Sequence, residues 1–181
     1  MTKAQIKLVA PYMGIPIICL FLFFFQRNNV TSLHLLHYVL AVIFGYVAAV
    51  GDIKTKKIPN SLILIMLATW IVSMFPLLFV DMHEAIVMLR ESGLGFLVAG
   101  GLFLLVYIVN RKGLGGGDVK FIAATGLFLG FNGVMPAMLV GTILASIVGL
   151  TLLALKKLGL KDSMPMAPFL FAGILVFVFL G

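Results

Sequence analysis

Charge is scarce in this chain. Six acidic and 13 basic residues amount to 10% of 181 positions, whereas 62% are hydrophobic. That leaves too little polar surface to clothe a soluble domain. Cysteine is scarcer still: Cys19 stands alone, which excludes an internal disulfide and any paired-thiolate zinc site. It lies in an apolar run, where a small buried packing residue is the ordinary role. Of the three histidines, His34 and His37 share a helix face at a spacing that can hold a metal. No third ligand accompanies them, and they lie about 25 Å along their run from the nearest acid at 1.5 Å per residue. Placement at a membrane interface is therefore expected of both, with His83 in an outer loop. Neither a metal nor a cofactor is expected. Long linkers, low-complexity tracts and convincing repeats are also missing, so residues 1–181 read as a single domain.

What is abundant is apolar sequence in runs long enough to span a bilayer. Seven runs stand out: Leu8 to Phe25, Leu33 to Val50, Ser61 to Val80, Gly93 to Val109, Val119 to Gly130, Val134 to Leu155, and Ala167 to Leu180. The expected fold is an all-α polytopic membrane bundle of about seven transmembrane helices. The fifth run is short, so it starts below the surface or is partly re-entrant. The first is followed by Gln26-Arg27-Asn28-Asn29 without a small-residue cleavage pattern, and it reads as a permanent anchor rather than a signal peptide.

The basic residues give an orientation. Alternating the sides of seven spans gathers Lys3, Lys7, Lys54, Lys56, Lys57, Arg111, Lys112, Lys120, Lys156, Lys157 and Lys161 on one face and leaves only Arg27 and Arg90 on the other. By the positive-inside rule the crowded face, with the N-terminus, is cytoplasmic. The net charge of +7 is then a topology signal plus attraction to anionic membrane lipid, and nucleic acid is not an expected partner.

Small residues recur every fourth position at Ala41, Gly45 and Ala49, at Gly126 and Gly130, and at Ala137, Gly141, Ala145 and Gly149. Such ridges let membrane helices approach closely, and packing is their expected role. Pro11, Pro16 and Pro136 are expected to bend their helices.

Asp52 and Asp118, 66 residues apart, each sit at the end of an apolar run, where an ionisable group needs a partner or a task. Asp52 opens Asp52-Ile53-Lys54-Thr55-Lys56-Lys57-Ile58-Pro59-Asn60, read as a basic loop closed by Pro59, with Asn60 or Ser61 capping the next helix. Asp118 closes Gly115-Gly116-Gly117-Asp118, where the glycines permit positive φ and close passage of another chain. The bland alternatives are an ordinary N-cap at Asp118 and a loop aspartate paired with Lys54 or Lys56. Both acids on one membrane face favour acid/base chemistry. The dipoles of their own helices make Asp118 the ionised partner and Asp52 the proton carrier.

Asp52 with Pro59-Asn60, together with Gly115-Gly116-Gly117-Asp118, resembles the motif pair of the type IV prepilin leader peptidases, a branch of the GxGD intramembrane aspartic peptidases. Pro165-Met166-Ala167-Pro168-Phe169-Leu170 is similar to the proline-bearing segment that opens the last helix in that family. Long members carry an N-terminal insert with paired cysteines linked to N-methylation. This chain has no CxxC and resembles the short form, for which methyltransferase activity is not expected.

The resemblance implies an aspartic endopeptidase of the bacterial inner membrane. It would use Asp52 and Asp118, without cofactor, to cut the basic leader of a prepilin or pseudopilin after a glycine at the cytoplasmic surface. Gly115, Gly116, Gly117, Pro165, Ala167 and Pro168 are the expected substrate-binding positions. They would hold the cleavage segment extended between two stretches of exposed backbone, with the basic leader directed toward Asp162 or lipid phosphates. Two other classes remain open at this point: a small proton-coupled transporter using the two acids, and a noncatalytic subunit of a secretion machine.

Overall fold

The computed structural model describes residues 32–109, 114–157 and 164–180, together with Pro16. All regular structure among these residues is helical. The helices are α1 (Ser32–Thr55), α2 (Asn60–Met74), α3 (Leu77–Val80), α4 (Met82–Val109), α5 (Gly116–Ala154) and α6 (Ala167–Leu180). The stretches Leu33–Thr55, Asn60–Val80, Met82–Val109 and Gly116–Ala154 are long and apolar enough to cross a membrane, and Ala167–Leu180 is a shorter apolar helix. The expected first span Leu8 to Phe25, with Pro11 and Cys19, lies outside the described residues apart from Pro16, and so does Asp162.

Several boundaries differ from the sequence expectation for local reasons. α1 continues past Val50 to Thr55, whose hydroxyl donates to Gly51 O at 2.9 Å and extends the last turn. The third expected span is divided because Pro76 has no N–H to continue the ladder beyond Met74. α4 starts at Met82 instead of Gly93, since Asp81 Oδ1 accepts the Glu84 N–H at 3.0 Å and caps the helix. His83 therefore sits in a helical first turn and not in a loop. Pro136 keeps helical dihedrals, and the break in α5 falls at Gly130 instead, with φ 66° and ψ −179°.

That break reverses the chain. α6 runs antiparallel to α1: Ala167 meets Asp52, Phe171 meets Gly45, and Phe177 meets Tyr38. Along 116–129 of α5, Asp118 shares the Asp52 end while Phe128 touches His37 and Phe44. Along 131–154, Gly133 lies on Phe177, Gly141 on Leu170, and Gly149 faces Met164. The first arm thus moves away from Asp52 and the second returns, without an intervening loop. This agrees with the expected division of the segment into two spans.

Glycine and alanine set the helix separations. A Cβ at Gly95 would lie 2.5 Å from Gly126 O, and one at Gly126 equally close to Gly95, so α4 and α5 cross backbone to backbone. A Cβ at Gly173 would run into Ala137 O, and one at Gly141 would lie 2.9 Å from Phe169 O. In lipid, where apolar burial does not pull helices together, this close approach supplies the dispersion contacts. The ridge residues of the sequence are structural here, and Gly95 and Gly173 are the partners they lacked. Inside the bundle, Ser92 Oγ donates to Leu127 O at 2.7 Å, and His37 Nε2 meets Ser73 Oγ at 2.8 Å. His37 is fully buried, contrary to the interfacial placement expected of it. Its hydrogen bond to Ser73 makes burial tolerable.

The contact ladder also sorts the described basic residues. Lys54, Lys56, Lys57, Lys120, Lys156 and Lys157 occupy the Asp52 end, while Arg90 lies beside Glu91 at the Gly130 end.

Gly130 stands in a backbone region that is nearly exclusive to glycine, and its Cβ position has no neighbour closer than 3.6 Å. Gly130→Ala should therefore destabilise through the backbone alone, by about 1–3 kcal/mol. A lowered unfolding midpoint in detergent is expected, against an unchanged or raised one for Gly93→Ala, which meets nothing within 4 Å.

Candidate active site

The last turn of α1 presents Asp52. Its backbone carbonyl accepts the Lys56 N–H at 2.7 Å, and Lys56, at φ 53°, turns the chain out of the helix. Ile58 follows and is buried, and Pro59 is extended ahead of α2. α2 has no side-chain cap, so the capping role expected of Asn60 or Ser61 is not what is found. Asn60 Oδ1 instead accepts from Lys120 Nζ at 3.0 Å, linking the start of α2 to the first turns of α5.

The glycine run precedes Asp118 in a different way from the one expected. Gly115 is extended at φ −79°, ψ 141°, and Gly116 and Gly117 already belong to α5. Among the described glycines only Gly130 has positive φ. What Gly117 provides is space: a Cβ there would lie 3.3 Å from Ile58 Cβ and 3.4 Å from Ile58 O. The glycine thus lets the Lys56–Pro59 segment pass against the start of α5, which is the close passage its size allows. Asp118 Oδ2 accepts the Gly115 N–H at 3.2 Å, so the aspartate braces its own helix start.

Both aspartates line one cavity of about 210 Å³, walled by Gly115 to Gly117 on one side and by Lys56, Lys57 and Ile58 on the other. They are near enough for the charge of Asp52 to act on Asp118. Asp52 is 5% exposed, and its Oδ2 accepts the backbone N–H of Ala167 at 3.0 Å. Ala167 is the first residue of α6, so the carboxylate occupies the positive end of a helix remote in sequence. Oδ1 of Asp118 is buried and has no hydrogen-bond partner among the described residues.

Of the expected binding positions, Gly115, Gly116, Gly117 and Ala167 thus gather at the aspartates. Pro165 and Pro168 are half-buried and do not line the cavity. Pro165 and Met166 are non-helical, whereas Pro168 lies in the first turn of α6, where a missing N–H leaves no hydrogen bond unmade. Sequence reasoning missed Ile58, which is buried between exposed residues, and the Ala167 amide. Only the flanking Lys57 and Pro59 hinted at Ile58, and a backbone donor leaves no side-chain signal. Among the described residues, no three of His, Cys, Asp and Glu cluster to hold a metal ion.

Several membrane-capable helices and two acids on one cavity define the class: a multi-pass helical membrane protein with a paired-carboxylate site. A model of the type IV leader peptidase family matches residues 39–153, more than half of the sequence, and the chain belongs to that family. It is similar to the prepilin leader peptidase/N-methyltransferase of Burkholderia pseudomallei (strain K96243), with 30% identity over 136 residues covering 72% of this chain and 41% of the relative. The protein of that name from Xanthomonas campestris pv. campestris is 26% identical over 128 residues, covering 70% and 44%. The Bacillus subtilis (strain 168) relative is 29% identical over 145 residues, covering 78% and 54%. The chain spans about half the length of these relatives, and N-methyltransferase is said of them alone. No solved structure matches the chain.

The Gly117 contact gives a test independent of any activity. A cysteine introduced at Ile58 should react slowly with a polar maleimide, because the position is 8% exposed. Adding Gly117→Val should speed that labelling several-fold, since the added methyls displace the segment. Equal rates in the two backgrounds would contradict the contact.

Proposed function

We propose that the protein is a membrane-embedded aspartic endopeptidase that removes the short basic leader of type IV prepilin-like proteins after a glycine. The observation that carries this reading is the meeting of Asp52 and Asp118 on one cavity beside the glycine run. Family membership supports a prepilin or pseudopilin as substrate. The gathering of six lysines at the aspartate end supports a cytoplasmic position for the site in the bacterial inner membrane.

The hydrogen bonds support the following division of roles. Asp52, stabilised as carboxylate by the Ala167 amide at the α6 N-terminus, takes a proton from water. Asp118 carries the proton of the pair on its unpartnered Oδ1 and gives it to the scissile carbonyl oxygen. The water oxygen adds to the carbonyl carbon and forms a tetrahedral diol. Asp52 then protonates the leaving nitrogen as the C–N bond breaks, and Asp118 recovers its proton from a diol hydroxyl. The pair ends as it began, with one proton between two carboxylates. These roles are the reverse of those assigned from each acid's own helix. The difference arises because the dipole that reaches Asp52 is that of α6.

Asp52→Asn and Asp118→Asn should each lower prepilin cleavage by the purified protein by about 10²–10⁴-fold, the range of a lost general acid or base. The unfolding midpoint should be retained, because an amide has nearly the shape of an acid. Near-parental turnover in either variant would refute the pair. Activity against pH should form a bell, since the working state holds a single proton: it falls at low pH as the pair gains a second proton and at high pH as it loses the one it shares.

A further inference from the structure

At the end of the bundle opposite the aspartates, α1, α4, α5 and α6 enclose a second cavity of about 210 Å³. Glu91, His34, Asn132 and the rings of Tyr38, Phe128 and Phe177 line it. Glu91 stands where the apolar run of α4 begins, since no charged residue follows it before the helix ends at Val109. A carboxylate on that boundary is costly without a close partner. Arg90 Nη2 lies 3.4 Å from its Oε1 and Asn132 Nδ2 lies 3.4 Å from its Oε2, both beyond the usual hydrogen-bond length. The Arg90 side chain is 71% exposed and that of Glu91 30%, so successive residues send the acid inward and the base out toward the membrane surface.

A carboxylate among aromatic rings suits an organic ammonium, which gains from both the charge and the ring quadrupoles. One histidine and one carboxylate are too few to hold a metal ion, and no three such groups cluster among the described residues. The size suits a group of a few heavy atoms, because drug-sized ligands occupy about 300–1,000 Å³. Acceptors at Glu91, the Tyr38 hydroxyl and the Asn132 carbonyl can take up the three N–H bonds of a primary ammonium, whereas a fully methylated one has none to offer.

We propose that this cavity binds the ammonium group of a phosphatidylethanolamine lipid, with Arg90 on the lipid phosphate. The exposed arginine beside the acid favours a headgroup that carries both charges over a lysine side chain of another protein, which carries one. Leu94 lies one turn along α4 from Arg90, on the same face and 42% exposed, so an acyl chain descending from that phosphate meets apolar side chain. The inference does not depend on the peptidase reading.

The test titrates the full chain, purified in detergent and stripped of lipid, with dioleoyl lipids and reads binding by native mass spectrometry. Phosphatidylethanolamine should bind about tenfold more tightly than phosphatidylcholine, which keeps the phosphate and the net charge but has no ammonium N–H. Glu91→Gln should abolish that preference. Glu84→Gln, an acid at the same end of α4 but outside the cavity, should keep it. Arg90→Gln should weaken phosphatidylethanolamine several-fold and leave the preference in place, since both lipids carry the phosphate. If Glu91→Gln lowers the unfolding midpoint of the lipid-free protein, Tyr38→Phe, which removes one acceptor and keeps the ring, takes its place and should reduce the preference. Equal binding of the two lipids by the parent overturns the proposal, and so does a preference undiminished in the deciding variant. Glu91-dependent binding of a lysine-bearing peptide, with the two lipids bound alike, assigns the cavity to a protein side chain and overturns it equally.

Discussion

The hydrogen bond from the Ala167 amide to Asp52 Oδ2 is the contact on which the site depends. It joins the last helix of the chain to the first described one, 115 positions apart, at the one end of the bundle where both acids lie. Polar contacts of this kind weigh more in a membrane bundle than their number suggests, because lipid offers no competing partner for an exposed amide. The bond settles two matters at once. It answers a free N–H at the start of α6, and it gives the buried Asp52 side chain a donor.

Around that bond the remaining parts hold one another. The Gly95–Gly126 crossing fixes α5 on α4, while Gly141 and Gly173 fix its second arm on α6. α5 therefore positions Asp118 relative to α6, and through α6 relative to Asp52. Lys120 and Asn60 tie the start of α2 to the same helix, which keeps Ile58 seated against Gly117. A change at the glycine crossings reaches the aspartates through helices, and one at Ile58 through the short segment between α1 and α2.

Much of this arrangement was readable from residue order. Apolar runs gave the helical membrane class, and the reversal at Gly130 separates the two spans expected on either side of it. The motif pair singled out Asp52 and Asp118, which share a cavity. What could not be read depended on partners far along the chain. Asp52 ends α1, but the amide that its side chain meets is at the start of α6. His37 looked interfacial because its partners, Ser73 and Phe128, lie on other helices. The glycines before Asp118 suggested an unusual backbone and close passage of another segment; only the second is found, at Gly117, which admits Ile58. In each case local sequence identified the residue, and tertiary packing decided its role.

The arm of α5 that carries Asp118 has a further consequence. Residues 116–129 rise about 21 Å at 1.5 Å per residue, against a hydrocarbon core of about 30 Å. A helix this short cannot reach both faces at once, so the bilayer thins around it or one of its ends lies beneath the headgroups. With Gly130 at its far end, the arm acts as a depth gauge that sets how far below the lipid surface Asp52 and Asp118 lie. Bilayer thickness then bears on the depth of the proposed site, and lipids of different chain length would shift it without altering a single residue.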